Sequence, residues 1–220
     1  MLSITEFVGV AATAFSLLQN CIILLIVRRI RGRGSSDHFS FFPYCANFAS
    51  SICWLKYAFL IFDMPLIFSN IFSAVISGFI ILFFYLYSQM KFNLIYPTLI
   101  GSFLITIGLF FNVNDVVESQ ISFLQVYCPL MSVMAFGAPL SAITSVWRSK
   151  SLNQMSFSLC FSNFLIGILW VTYGMLKDDY SLMICNLLGT GLSICQLSLY
   201  LIIPFVAKLS LKNEKILVGV

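Results

Sequence analysis

Seven stretches of the chain are apolar for long enough to cross a bilayer as a helix, which takes about 20 residues. They run over 5–27, 40–61, 66–88, 93–113, 122–146, 157–176 and 180–206, with short polar segments between them. A membrane barrel would alternate polar and apolar positions, and these stretches do not. A backbone in lipid must satisfy its own hydrogen bonds, so each stretch is expected to be a helix. The fold class this predicts is an all-α integral membrane protein with seven transmembrane helices.

Composition agrees. Of 220 residues, 60% are hydrophobic and 9% charged, against about 25% charged in a soluble domain. The net charge of +4 is dispersed among the spans and gives no reason to expect nucleic acid as a partner. The first residues, MLSITEFV, have no basic segment and carry Glu6, so the first stretch is expected to be a retained span rather than a cleaved signal.

The charges sort by side. Arg28, Arg29, Arg31 and Arg33, Lys91, Arg148 and Lys150, and Lys208, Lys212 and Lys215 fall on one side of a seven-span chain. Glu6, Asp63, Asp115, Glu118, Asp178 and Asp179 fall on the other, with Lys177 as the basic exception. The positive-inside rule puts the first group in the cytosol, the N-terminus outside or in a lumen, and the C-terminus in the cytosol. An even number of spans would destroy this sorting.

An internal repeat organises the spans. An offset of 116 residues pairs Ser35 with Ser151, Ser40 with Ser156, Phe41 with Phe157, Asn47 with Asn163 and Phe48 with Phe164. The same offset pairs Trp54 with Trp170, Tyr57 with Tyr173, Asp63 with Asp179 and Asn70 with Asn186. The chain therefore divides into a first three-helix unit over 5–88, a linker helix over 93–113, a second unit over 122–206 and a cytosolic tail over 207–220. One helix between two three-helix units leaves the repeats parallel, and such repeats place a substrate site at the midplane between them.

Polar residues within the spans are costly and mark candidate function. Asn70 and Asn186 stand a few residues into the third helix of each unit, where their uncharged amides suit a neutral, hydroxyl-rich ligand; asparagine also serves as glue between membrane helices. Trp54 and Trp170 can stack on the apolar face of a sugar ring or belong to an interfacial aromatic belt, and the same belt competes with a gate for Tyr57 and Tyr173. Lys56, near the end of the second span, is expected to snorkel to water. Pro43 and Pro139 are expected to kink the second and fifth spans as an inner hinge. No Asp or Glu falls in mid-span, which argues for uncoupled movement. The single histidine, His38, lies in a polar loop, and the seven cysteines have no metal-ligand spacing and are expected to be small buried hydrophobes. No catalytic apparatus is visible and no cofactor is expected.

The stretch APLSAITSVWRSKSLNQMSFSL, followed by WVTYGMLKDD and CNLLGTGL, closely resembles the second repeat of SWEET sugar transporters, and FSFFPY, WLKY and SN resemble the first. The resemblance covers roughly 7–205, and WLKY is similar to animal members. It implies a facilitative uniporter for a glucose-like mono- or disaccharide in the plasma or Golgi membrane, a homo-oligomer within the lipid bilayer. It further implies that Asn70 and Asn186 bind the sugar and that Trp54 and Trp170 sandwich it. Gln19, Ser50, Ala135 and Ile166 would line the pocket, Tyr57, Tyr173 and Asp179 would form an outer gate, and Pro43 and Pro139 would belong to a set of four cytosolic-gate prolines. The sequence departs from the family at Ile23 and Ser156, where proline is common, and at Ala58, where glycine commonly follows the tyrosine. Two alternatives stand beside it: a proton-coupled amino-acid carrier of the PQ-loop type, whose Pro-Gln pairs are absent here, and a seven-helix membrane protein that transports nothing.

Overall fold

A computed structural model describes residues 3–111, 116–152 and 155–218, with side chains as far as residue 205 apart from that of Ala138. Asp115 lies outside these residues, as do the side chains of Lys208, Lys212 and Lys215. The described backbone forms helices α1 (Ile4–Ile23), α2 (Leu25–Arg33), α3 (Phe42–Leu60), α4 (Met64–Tyr87), α5 (Phe92–Phe110), α6 (Val117–Ala135), α7 (Gly137–Ser149), α8 (Phe157–Leu176) and α9 (Tyr180–Val218).

The first and fifth spans are each built of two helices, α1 with α2 and α6 with α7, divided at Leu24 and at Phe136. Six segments of the described chain are long and apolar enough to cross a membrane: Ile4–Arg33, Met64–Tyr87, Phe92–Phe110, Val117–Ser149, Phe157–Leu176 and Tyr180–Phe205. The second predicted span, α3, completes the seven but is the more polar helix. It carries Asn47, Ser50, Ser51 and Lys56, and it packs against α4, α5 and α6. A helix walled by protein on three sides exposes little surface to lipid and can hold polar residues among its neighbours.

Each local start and stop has a cause. Ser3 and Glu6 form a capping box at the beginning of α1. The α3–α4 and α8–α9 connections are the same turn written twice. The N–H of Asp63 donates to the carbonyl of Ala58 at 3.0 Å, and that of Asp179 to Gly174 at 2.9 Å. Phe62 and Asp178 lie between them in the left-handed region, both at φ 53°. This is the Schellman way of ending a helix. The next residue begins a new one: Asp63 Oδ1 accepts from Leu66 N at 3.0 Å, and Asp179 Oδ1 from Leu182 N at 3.0 Å. Gly174 is required by close approach, because a Cβ there would stand 2.9 Å from the backbone nitrogen of Met183.

The helices close into a ring. Neighbours follow in the order α1, α4, α3, α6, α9, α8 and back to α1, with α5 outside against α3 and α6. The order within α1–α4 is repeated within α6–α9, and the two seams, α1 with α8 and α3 with α6, exchange under the 116-residue offset. The core is not uniform along this ring. At the face where α1 begins and α3 ends, called the acidic face below, one apolar cluster draws on both units: Ala12, Cys53, Trp54, Tyr57, Leu66, Leu124, Trp170, Tyr173 and Leu182. Toward the opposite, basic face the core splits. Ile30, Phe41, Ile76, Ile80 and Phe84 pack within the first unit, and Val146, Leu199 and Ile203 within the second. The two units are welded through a shared core at one end and keep separate cores at the other. Five of the seven cysteines are buried as expected, whereas Cys21 and Cys195 are exposed.

Candidate functional site

Between the welded end and the split end lies a cavity of about 310 Å³. Its wall includes Trp54, Asn70, Trp170 and Asn186, drawn from α3, α4, α8 and α9, so the two matched pairs meet around one space. Ser50, Ala135, Ile166 and Pro139 also border it.

The tryptophans are held by serines of the opposite unit. Trp54 Nε1 donates to Ser132 Oγ at 2.8 Å, and Trp170 Nε1 donates to Ser16 Oγ at 3.0 Å. Ser16 and Ser132 are themselves 116 residues apart. With each indole N–H satisfied across a seam, the rings remain as apolar surfaces in the wall. Asn70 and Asn186 are anchored alike: each Nδ2 donates at 2.8 Å to the carbonyl four residues earlier, Leu66 or Leu182. That leaves an oxygen on each amide and a second N–H on Asn70, whereas Asn186 Nδ2 also donates to Cys185 Sγ at 3.5 Å.

The acidic face is closed by a crossed pair of contacts. Tyr57 of the first unit donates to Asp179 Oδ2 of the second at 2.8 Å, and Tyr173 of the second donates to Asp63 Oδ2 of the first at 2.7 Å. All four side chains are buried. Each tyrosine also sets its ring edge-on to the tryptophan one turn below, with centroids 5.6 Å apart for Trp54–Tyr57 and 5.7 Å for Trp170–Tyr173. Tyr57, Tyr173 and Asp179 therefore do not border the cavity but cover its end. Asp63, absent from the expected gate residues, is an equal part of these crossed contacts. Symmetry breaks at one charge, because Lys177 Nζ stands 3.4 Å from Asp63 Oδ2 whereas Ile61 occupies the matching position of the first unit.

Several expectations are corrected. Gln19 lies outside the cavity wall, at the α1–α8 seam, where its Nε2 donates to Asn163 Oδ1 and its Oε1 accepts from Ser162 Oγ at 2.8 Å. Lys56 is not simply snorkelling: its Nζ donates to the carbonyls of Leu109 at 2.6 Å and Gly108 at 3.4 Å. It therefore caps the linker helix α5, whose last carbonyls have no helical partners and carry the negative end of the helix dipole. Pro43 occupies the first turn of α3, where its missing N–H would have had no intrahelical partner, so it frees no carbonyl and makes no interior kink. Pro139 is the third residue of α7, directly after the break at Phe136. Its counterpart Ile23 adjoins the break at Leu24, so the first span is interrupted there without proline. Ser156 precedes α8 as its N-cap residue and stands outside the helix.

Asn47 and Asn163, Ser69, Ser132 and Gln196 also border the cavity. Among the described residues no group of three or more His, Cys, Asp or Glu side chains is placed to hold a metal ion. What the arrangement offers is two indole surfaces, amides and hydroxyls around a space closed at one end.

Known proteins resemble this chain in sequence and in fold. A family model described as a sugar efflux transporter for intercellular exchange matches residues 6–92 and again 122–207. The chain is 32% identical over 218 residues to the bidirectional sugar transporter N3 of Medicago truncatula, covering 93% of this chain and 81% of that protein. It is 28% identical over 184 residues to the sugar transporter SWEET1 of Caenorhabditis elegans, covering 81% of this chain but 59% of the nematode protein. The Mus musculus sugar transporter SWEET1 is 26% identical, with 89% of each chain covered. A solved eukaryotic SWEET transporter superposes with a TM-score of 0.77 at 23% identity, over 91% of this chain and 96% of that one, and so shares the fold.

Proposed function

The chain belongs to the SWEET family of sugar efflux transporters, and from that premise we propose that it moves a single-ring sugar down its concentration gradient by alternating access. The observation that carries this reading is the pairing of Trp54 with Trp170 and of Asn70 with Asn186 around one cavity. A pyranose presents apolar C–H faces and a polar hydroxyl rim. Indole surfaces meet the faces and amides meet the rim, with no charge required. The volume of about 310 Å³ stands at the bottom of the roughly 300–1,000 Å³ range of small-molecule sites, which favours one ring over two.

The crossed tyrosine–aspartate contacts close the acidic face, and the divided core at the basic face supplies the other route. Rocking of the two units would break the first set of contacts as the basic-face ends approach each other. The positive-inside rule orients the basic face to the cytosol, given Arg28, Arg29, Arg31, Arg33, Arg148 and Lys150 there. The state described is then closed outward. With no carboxylate among the described residues bordering the cavity, flux follows the sugar gradient alone. Affinity near millimolar, about −4 kcal/mol, suits a site that must release what it binds.

Uptake of radiolabelled D-glucose into transport-deficient cells tests this. Wild type is expected to equilibrate the sugar equally well with and without a pH gradient, and Asn70→Ala or Asn186→Ala to abolish uptake while reaching the membrane in normal amounts. Absence of wild-type uptake across a panel of hexoses and pentoses would overturn the proposal. Collapse of transport with the pH gradient would favour the proton-coupled alternative.

A further inference from the structure

The four asparagines of the cavity wall form two pairs at the repeat offset, and the pairs are held differently. Asn70 and Asn186 have the same anchor. Asn47 and Asn163 do not. Asn47 Nδ2 gives both hydrogens to α4, to Ser73 Oγ at 3.0 Å and Ser77 Oγ at 2.6 Å. Its Oδ1 is the remaining group, without a donor among the described residues. Asn163 is fixed the opposite way round. Its Oδ1 accepts from Gln19 Nε2, while Ser162 Oγ donates to Gln19 Oε1 at 2.8 Å. The Nδ2 of Asn163 is then the remaining group, with no acceptor among the described residues.

The cause lies in a few unmatched positions of the repeat. Gln19 has Ala135 as its counterpart, which cannot hold an amide. Ser73 has Gly189, which has no hydroxyl, and the counterpart of Ser77, Ser193, turns its hydroxyl onto the Gly189 carbonyl at 3.0 Å. The same residue type at equivalent places thus shows an acceptor on one wall and a donor pair on the other, and both residues border the cavity.

We propose that this gives the cavity a polarity: a bound polyol lies in one orientation, one hydroxyl donating to Asn47 Oδ1 and another accepting from Asn163 Nδ2, with Gln19 as the positioning residue that sets the second contact. The inference rests on the sugar-transport reading and adds the orientation rule for its substrate.

Competition against radiolabelled D-glucose by its monodeoxy and monofluoro derivatives tests it. Fluorine can accept a hydrogen bond weakly but cannot donate one. Wild type is expected to show one ring position where fluorine competes about three- to ten-fold better than hydrogen, the worth of one hydrogen bond, and another where both substitutions lose equally. The first reports Asn163 and the second Asn47. Asn163→Leu is expected to erase the fluorine advantage at the first position alone. Gln19→Leu, which leaves Asn163 in place, is expected to shrink the same advantage and to raise KM more than it lowers Vmax. A wild-type panel in which fluorine and hydrogen behave alike at every position overturns the proposal without reference to any variant. So does a Gln19→Leu panel identical to wild type. If wild type moves no glucose at all, the transport reading fails first and the polarity with it.

Discussion

Asp63 and Asp179 each use two oxygens for two tasks, one capping a helix and one accepting a tyrosine from the other unit. Asparagine keeps the cap but removes the charge that strengthens the tyrosine contact. Asp179→Asn is therefore expected to weaken closure of the acidic face by about 1 kcal/mol. Spin labels at the acidic-face ends of α3 and α8 should show a longer-distance population growing in the variant. Asp63→Asn should grow it somewhat more, because it also loses Lys177, a half-exposed partner worth at most about 1 kcal/mol. A second carboxylate acts outside the membrane-spanning segments. Asp37 accepts from Ser88 Oγ at 2.6 Å, Gln89 N at 3.1 Å and Ser35 Oγ at 3.1 Å, tying the α2–α3 connection to the end of α4. The Ser88 hydroxyl is the main cause that holds its pKa below the ordinary aspartate value. A depressed folded pKa stabilises above the unfolded value, near 3.9, and that contribution is lost as pH falls through the folded one. Thermal melts of purified wild type should fall away below about pH 4 more steeply than those of Asp37→Asn, and the two should run parallel from pH 5 to 7. Much of this scale was legible from the 116-residue offset, which brought Trp54, Trp170, Asn70 and Asn186 forward. Ser16 and Ser132 obey the same offset yet escaped notice, because a serine that holds an indole N–H looks ordinary until the indole's partner is known. The opposed settings of Asn47 and Asn163 were not legible at all. They depend on which neighbour reaches each amide first.

At the scale of elements, hydropathy located the spans to within a few residues but not their interruptions. Proline was the visible signal, and it marks the interruption of the fifth span but not that of the first. Pro43 sits in a first turn where it is harmless, while the first span breaks at Leu24 with no proline beside it. A helix break set by tertiary packing leaves no local mark. The twin turns are more regular. Phe62, at φ 53°, occupies the position of a Schellman turn that glycine fills most easily, so Phe62→Gly is expected to raise stability by about 1 kcal/mol, read as a rise in melting temperature. The linker helix α5 is fastened by Lys56 at its carbonyl end. Lys56→Met preserves the length of the stem and removes the charge-assisted bonds. Its expected cost is about 1–2 kcal/mol of stability, with KM for sugar little changed, since Lys56 does not border the cavity.

For the whole molecule, the seven-helix class and the parallel repeat followed from pattern and the family from a resemblance of motifs, but the conformation did not. No sequence signal announces that the apolar core is shared at the acidic face and divided at the basic one. On the alternating-access reading proposed above, the described state is one member of a pair, and the depth of its energy well governs how fast the other is reached. The double use of the two aspartates bears on this. When the units part, each carboxylate loses its tyrosine but retains the backbone N–H of Leu66 or Leu182 within its own unit. The charge is never stripped of every partner, and water entering through the opening gap can replace the phenol. The barrier to unlatching therefore stays clear of the several-kcal/mol penalty of an abandoned buried ion. On the same reading, a latch made of helix caps keeps turnover from being throttled by the electrostatics of its own carboxylates.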